Sequence, residues 1–380
     1  MRLIFDGFAI ENFPSFKIRG KTIASKNPSE TSPPKVPPRI LIMRYSSLGD
    51  VALANPVLDG LRAASPDAQI YFATKKQYAP AIQHHPALTK VIPLNGSGFF
   101  NFWGHLQEIR AIKPTLALDL HDSWRSHLVS PFLGKAKVLV YDKEAIRRRL
   151  LVKKIAREPS LHTIHKYLRV LEPLGIRPHL KINFEVHVSK KNQSFIREFS
   201  ERRKISPTQM TIGLGPGARW KTKQWMPERY AELATRLVED YRCTLLWFGS
   251  PDEAPLIRKI QNRMRGTVLE RGICLAGEYS LEQSIALLGR CELFVGNDSG
   301  LTHLASGRGC RVVVIYGSTT TSLGFEPWGP HSTVEVANLP CRPCHPLGRN
   351  SCPLGHFKCM QDLTVDLVEG AVKRSVRRSR

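Results

Sequence analysis

Short, fully apolar runs alternate along this chain with longer segments in which apolar residues return every three or four positions. Residues 39–44, Arg-Ile-Leu-Ile-Met-Arg, form the first such run, bounded by Pro38 and a Ser-Ser-Leu-Gly turn, and read as a buried strand. From Asp50 to Ala64 the set Val51, Leu53, Ala54, Val57, Leu58 and Leu61 has helical spacing. The same alternation predicts strands at 69–73, 90–94, 115–120 and 137–141, with helices at 76–84, 99–112 and 123–133. A basic helical region at 143–173 and a polar linker near 176–205 follow. The alternation then restarts, with strands at 210–214, 243–248, 292–295 and 311–316 and helices at 227–240, 253–264, 280–289 and 299–307. Strands separated by helices of this length imply βαβ units and parallel sheets. The expected fold is α/β: two Rossmann-like, doubly wound domains facing across a cleft, at 39–185 and 186–365. A Pro- and Ser-rich leader (1–38) precedes them, and a basic tail (366–380) follows. No run approaches the roughly 18 apolar residues of a spanning helix. Asp6 and Glu11 interrupt the first apolar run, so no secretion signal is expected.

In doubly wound sheets ligands bind beyond the C-terminal strand ends, which directs attention to a few short segments. In Tyr45-Ser-Ser-Leu-Gly-Asp50, Ser46 and Ser47 can cap a helix and Gly49 admits close backbone approach. Asp50 is then either a first-turn carboxylate or a general base facing the cleft. Gly215-Pro-Gly-Ala-Arg-Trp-Lys-Thr-Lys223 offers backbone amides and ammonium groups to a diphosphate, or is simply a solvated basic loop. Its Gly213-x-Gly215-x-Gly217 pattern is a poor dinucleotide fingerprint, because Pro216 interrupts it and the next helix starts late. The most specific segment is Gly296-Asn-Asp-Ser-Gly-Leu-Thr-His303. There the amides of Ser299, Gly300 and Leu301 open a helix and can hold phosphate oxygens, while Asp298 can accept from sugar hydroxyls. Gly300 weakens that helix unless something approaches it closely. Glu253 follows a fourth strand end, and His121-Asp-Ser-Trp-Arg125-Ser126 a fifth.

Charge narrows the class of partner. Lys and Arg number 56 against 32 Asp and Glu, a formal net charge of +24. Such a field attracts nucleic acid, anionic lipid headgroups or phosphorylated glycans. Aromatic residues make up only 8% and sit mostly in apolar runs, which disfavours nucleic acid. The run 142–170 carries Lys143, Arg147, Arg148, Arg149, Lys153, Lys154, Arg157, Lys166 and Arg169, either a solvated helix face or a contact for an acidic acceptor or membrane. No two aspartates are separated by a single residue, so the chain has no Asp-x-Asp metal clamp.

Three elements in order carry a family resemblance: Ile-Leu-Ile-Met-Arg-Tyr-Ser-Ser-Leu-Gly-Asp-Val near the start, Lys223-x-Trp225-x-Pro227, and Asp298-Ser-Gly-Leu-Thr-His303-Leu-Ala305. Together, over about residues 39–365, they resemble glycosyltransferase family 9, the lipopolysaccharide heptosyltransferases. The resemblance implies a GT-B fold with the acceptor on the N-terminal domain and a nucleotide sugar on the C-terminal one. It implies inverting transfer from ADP-heptose to the inner core of lipopolysaccharide, at the cytoplasmic face of an anionic inner membrane, with no cofactor and no catalytic metal. By similarity Asp50 is the general base and Lys223 neutralises the departing diphosphate. Ser47, Gly49, Glu253, Tyr279, Asp298, Ser299, Gly300, Leu301 and His303 surround the donor. His121, Arg125, Ser126 and Arg147 are the expected acceptor contacts. A relative using another nucleotide sugar, such as a UDP-hexose, remains an alternative; a nucleic-acid-binding protein and an NAD-dependent enzyme are more remote ones.

Cys341, Cys344, Cys352 and Cys359 cluster within 19 residues, with His345 and His356 between them. Their spacing leaves a structural zinc site, disulfides and free thiols all open.

Overall fold

The computed structural model describes residues 39–96, 98–177 and 182–377; the expected leader lies outside them. Its N-terminal lobe begins with β1 (Arg39–Met43), α1 (Leu48–Ala52), α2 (Asn55–Ala64), β2 (Gln69–Lys75) and β3 (Lys90–Leu94). It continues with α3 (Phe99–Ile112), β4 (Leu116–Asp119), α4 (Trp124–Val129), β5 (Lys137–Val140), α5 (Ala145–Val152) and α6 (Thr163–Arg169). All five strands are parallel, in the order β3-β2-β1-β4-β5. The central strand β1 is buried on both sides, so its residues are apolar without alternation. Ile40 and Ile42 pack under α2 on one face. Leu41 and Met43 pack with Leu106 and Ile109 of α3 and Val129 of α4 on the other.

The second lobe contains α7 (Lys190–Arg202), β6 (Thr211–Gly215), α8 (Pro227–Tyr241), β7 (Thr244–Trp247), α9 (Ala254–Gln261), α10 (Gly266–Glu270) and β8 (Gly272–Cys274). It is completed by α11 (Leu281–Leu288), β9 (Leu293–Asn297), α12 (Gly300–Gly307), β10 (Arg311–Ile315), β11 (His331–Val334), α13 (Lys358–Gln361) and α14 (Val365–Arg377). Its six strands are also parallel, in the order β11-β10-β9-β6-β7-β8. Gly213 and Gly215 lie inside β6, where an added Cβ would sit 2.8 and 2.6 Å from the Phe294 ring of neighbouring β9. The glycine pattern there makes room for an aromatic ring, which explains its poor fit to a dinucleotide loop.

Several elements differ from expectation for local reasons. The single helix expected over 50–64 is two: Pro56 near the start of α2 lacks an N–H, and the chain turns at Leu53–Ala54. Pro80 likewise restricts the segment after β2 to a 3-10 helix, Lys76–Ala81. The polar linker contains α7, capped by Ser189 and packed through Phe195 and Phe199 on Tyr279. Just before it Val186 joins the second lobe: its N–H donates to the Gly307 carbonyl (2.7 Å) and its carbonyl accepts from Arg308 (2.8 Å). The expected basic tail is largely the ordered helix α14. Its Val365, Val368, Ala371 and Val372 are buried, while Arg236 of α8 reaches Asp366 (2.6 Å) and Glu369 (2.8 Å).

Candidate active site

The C-terminal strand ends of both lobes line one cleft of about 1120 Å³. Two helix starts meet in it. A Cβ at Gly49 would lie 2.6 Å from His303 Cδ2 and 3.3 Å from Gly300 Cα, and one at Gly300 would lie 3.1 Å from the Gly49 nitrogen. The close approach that Gly300 requires therefore comes from the opposite lobe: α1 and α12 touch backbone to backbone.

Asp50 stands on α1 at this junction. Its Oδ2 accepts from the Ser47 N–H (2.9 Å) and hydroxyl (2.6 Å), and pairs with Arg44 Nη2 at 2.8 Å. Its Oδ1 has no hydrogen-bond partner among the described residues and is not sealed from solvent. Burial pushes this carboxyl upward. The Arg44 guanidinium and the Ser47 donors more than offset that and hold it below the ordinary carboxylate range. Arg44 is itself fixed from several sides: Nη1 donates to the Leu120 carbonyl (2.6 Å) and the Tyr141 hydroxyl (3.2 Å), and the guanidinium lies 5.7 Å from the Tyr167 ring centre. Sequence reasoning passed over Arg44. The available signal was a cation directly ending an apolar strand, where an unpaired charge is costly.

The facing wall belongs to the second lobe. Lys223 ends a 3-10 turn and pairs with Asp298 Oδ2 at 2.6 Å; the same oxygen accepts from the Thr319 hydroxyl at 2.6 Å. Asn297, buried at the end of β9, ties the loop before Lys223 down: Nδ2 donates to the Pro216 carbonyl (2.7 Å) and Oδ1 accepts from the Trp225 N–H (3.2 Å). Asn297 and Thr319 also escaped the sequence reading. Ser299 stands at the N-cap position of α12, and its Oγ is buried without a partner among the described residues, as is His303 Nδ1. Two orphaned polar atoms beside free helix-start amides form a face suited to a polar, anionic ligand. Burial lowers the His303 pKa, so its imidazole is neutral. Leu301 lines the cleft, as does Tyr279. Glu253 lines it too; its Oε2 accepts from the Ser250 N–H (2.8 Å), and its carboxylate covers Gly217, where a Cβ would sit 2.0 Å from Oε1.

The expected acceptor residues divide. His121 lines the cleft and accepts from the Tyr45 N–H through Nδ1 at 3.3 Å. Burial, then Arg44 and Lys143, lowers its pKa to about 3, so the ring is neutral. Ser126 is fully buried and closes the capping box of α4 with Ser123. Arg125 lies over the Trp124 ring at 4.7 Å and is not part of the cleft wall. Arg147 turns away toward Glu144 (3.9 Å) and Glu158 (3.5 Å). Its neighbour Arg148 faces the cleft, with Nε buried and unpartnered, beside Lys143 and Lys166. Burial, then Arg148, lowers the Lys166 pKa to about 8. A five-donor Arg or a Lys on α5 or α6 points into the cleft only at certain helical phases, which a charge count cannot resolve.

The four clustered cysteines line a separate small void and are all free thiols. Among the described residues no group of three or more His, Cys, Asp or Glu side chains is placed to hold a metal ion. The segment instead buttresses the Lys223 turn: the Arg349 carbonyl accepts from the Thr222 N–H (3.0 Å) and the Cys344 N–H donates to the Ser318 carbonyl (3.1 Å). No helix among the described residues is long and apolar enough to cross a membrane.

Two parallel α/β lobes whose strand ends oppose one another across a polar cleft define a GT-B glycosyltransferase, the fold also found in solved heptosyltransferases. The family model for glycosyltransferase family 9 (heptosyltransferase) matches residues 102–353, and the chain belongs to that family. It is 27% identical over 345 residues to lipopolysaccharide heptosyltransferase 2 of Escherichia coli, covering 86% of this chain and 95% of the relative. It is 25% identical over 347 residues to lipooligosaccharide heptosyltransferase 2 of Campylobacter jejuni, covering 90% and 99%. The solved E. coli ADP-heptose lipopolysaccharide heptosyltransferase II superposes with a TM-score of 0.70 at 21% identity, over 90% of this chain and 99% of that one.

Proposed function

We propose that this glycosyltransferase moves a heptose from ADP-heptose to a hydroxyl of the lipopolysaccharide inner core, with inversion, at the cytoplasmic face of an anionic membrane. The observation that carries the reading is the state of Asp50: one oxygen is held by three donors, while the other is unpartnered in the cleft that also contains Lys223 and Asp298. A carboxylate so oriented can take the proton of an incoming hydroxyl as that oxygen attacks the anomeric carbon. The proton passes to Oδ1, the C–O bond to the diphosphate breaks, and ADP departs with the electron pair. Lys223 and the free α12 amides would receive that charge. Lys223 pairs with Asp298 at 2.6 Å, so a bound diphosphate competes with that carboxylate for it. Lys143, Arg148 and Lys166, with neutral His121, give the acceptor side a cationic wall suited to an acidic core saccharide. The names of the curated relatives support heptose as the sugar.

The test is a donor screen with Asp50→Asn beside the parent. ADP-heptose should support transfer where UDP-hexoses do not, and the variant should bind ADP with nearly unchanged affinity. Its turnover should fall by about 10²-fold or more. Transfer from UDP-hexose alone would replace the donor; full turnover by Asp50→Asn would remove the base.

A further inference from the structure

α3 is apolar on more than one side. Phe102, Leu106 and Ile109 face the sheet, yet Phe99, Phe100 and Trp103 on its outer side are 73, 86 and 47% exposed. A contiguous exposed apolar patch of this kind marks an interaction surface. The rings form one array: Phe99 and Phe100 meet edge-on at 5.8 Å, Phe99 stacks on Trp103 at 6.4 Å, and Trp103 meets Phe132 edge-on at 5.8 Å. Phe132 follows α4, so the array adjoins a second helix whose Trp124 and Leu128, one turn apart, are 64 and 49% exposed. Both helices cover the same face of the N-terminal sheet, and each starts beyond the C-terminal end of a strand.

Charge identifies the occupant. The chain carries a formal net charge of +24, exposed Lys135 and Lys137 follow Phe132, and Arg125 lies over the exposed Trp124 ring. Aromatic side chains interleaved with cations are the pattern of an interface with anionic lipid, in which rings enter the headgroup layer and long cations reach phosphates. We infer that the exposed face of α3 and α4 is the surface on which this protein sits on an anionic phospholipid bilayer, with Phe99, Phe100 and Trp124 entering the interface. This seats the membrane against the lobe to which the proposed function assigns the acceptor, and for that consequence alone the inference rests on the function proposed above.

The experiment measures co-sedimentation of the full chain with vesicles of phosphatidylglycerol and phosphatidylethanolamine, and with phosphatidylcholine vesicles as the uncharged control. Phe99→Ser/Phe100→Ser removes the two most exposed rings of α3 without touching the core. The parent should bind the anionic vesicles, and the double variant should bind them at least tenfold more weakly at an unchanged melting temperature. Equal partition of parent and variant overturns the assignment, as does a parent that ignores anionic vesicles. A double variant that only converts a dimer to a monomer overturns it too, in favour of a second copy on this face. No sugar donor is present, so failure of the transferase reading and failure of this one are seen separately.

Discussion

Replacing Gly49 by Ala tests whether the two lobes must touch for the site to work. The new methyl carbon would lie 2.6 Å from His303 Cδ2, whereas ordinary contact begins near 3.4 Å, a shortfall of about 0.8 Å. His303 is only 6% exposed, and the backbone of Gly300 closes the other direction at 3.3 Å, so the methyl meets packed atoms both ways. The strain therefore falls on the α1–α12 junction. Overpacking of this kind costs about 1–3 kcal/mol, or a fall of about 2–6 °C in Tm. The effect on chemistry should be larger, because Asp50 is the next residue. A displacement near 1 Å between a base and the hydroxyl it deprotonates costs on the order of 10²-fold in rate. Gly370→Ala is the control: its methyl meets only Arg374 at 3.5 Å inside α14, and it should raise stability by about 0.5–1 kcal/mol without altering turnover. The readouts are a thermal melt and steady-state transfer by both variants. A Gly49→Ala protein with the parent's Tm and a kcat within twofold would show that the lobes do not need this contact.

Two further outcomes follow from buried charge. Arg44→Met strips Asp50 of its cation, so the acid limb of the pH–rate profile should move to higher pH and stability should fall by about 3–5 kcal/mol; an unmoved limb would detach Arg44 from the proposed base. Burial lowers the pKa of His105 and of His162 to about 4, against an unfolded value near 6.5. The unfolded chain then binds more protons between about pH 6.5 and 4, so stability is full above that window and declines through it by up to about 1.4 kcal/mol per pH unit for each histidine. Urea midpoints at pH 7.5 and 5 check this, and equal midpoints would refute it.

The parallel sheets were legible because a strand buried on both faces cannot alternate, and runs such as 39–43 and 311–315 therefore stand out. That Asp50, Lys223 and Asp298 share one cleft was legible because the C-terminal strand ends of such sheets face it. The helix α7 was hidden by its polar composition, since only Phe195 and Phe199 mark its packed side. Arg148 and Arg147 could not be ranked, because which of two adjacent cations turns inward depends on where α5 lies over the cleft. Ser126 has the same composition signal as a ligand hydroxyl, and only its closed hydrogen-bond pair with Ser123 reveals a cap. The role of Gly300 required the opposite lobe to be seen.

The anchoring of Arg44 has a consequence for how such an enzyme diversifies. Its guanidinium grips the residue after β4, the ring after β5 and the Asp50 carboxylate on α1 at once, so that carboxylate is tied to the ends of three neighbouring strands. The cations on α5 and α6 sit outside that frame. Substitutions there leave the three-way grip on Asp50 intact, so the proposed acceptor wall can vary while the proposed base stays fixed.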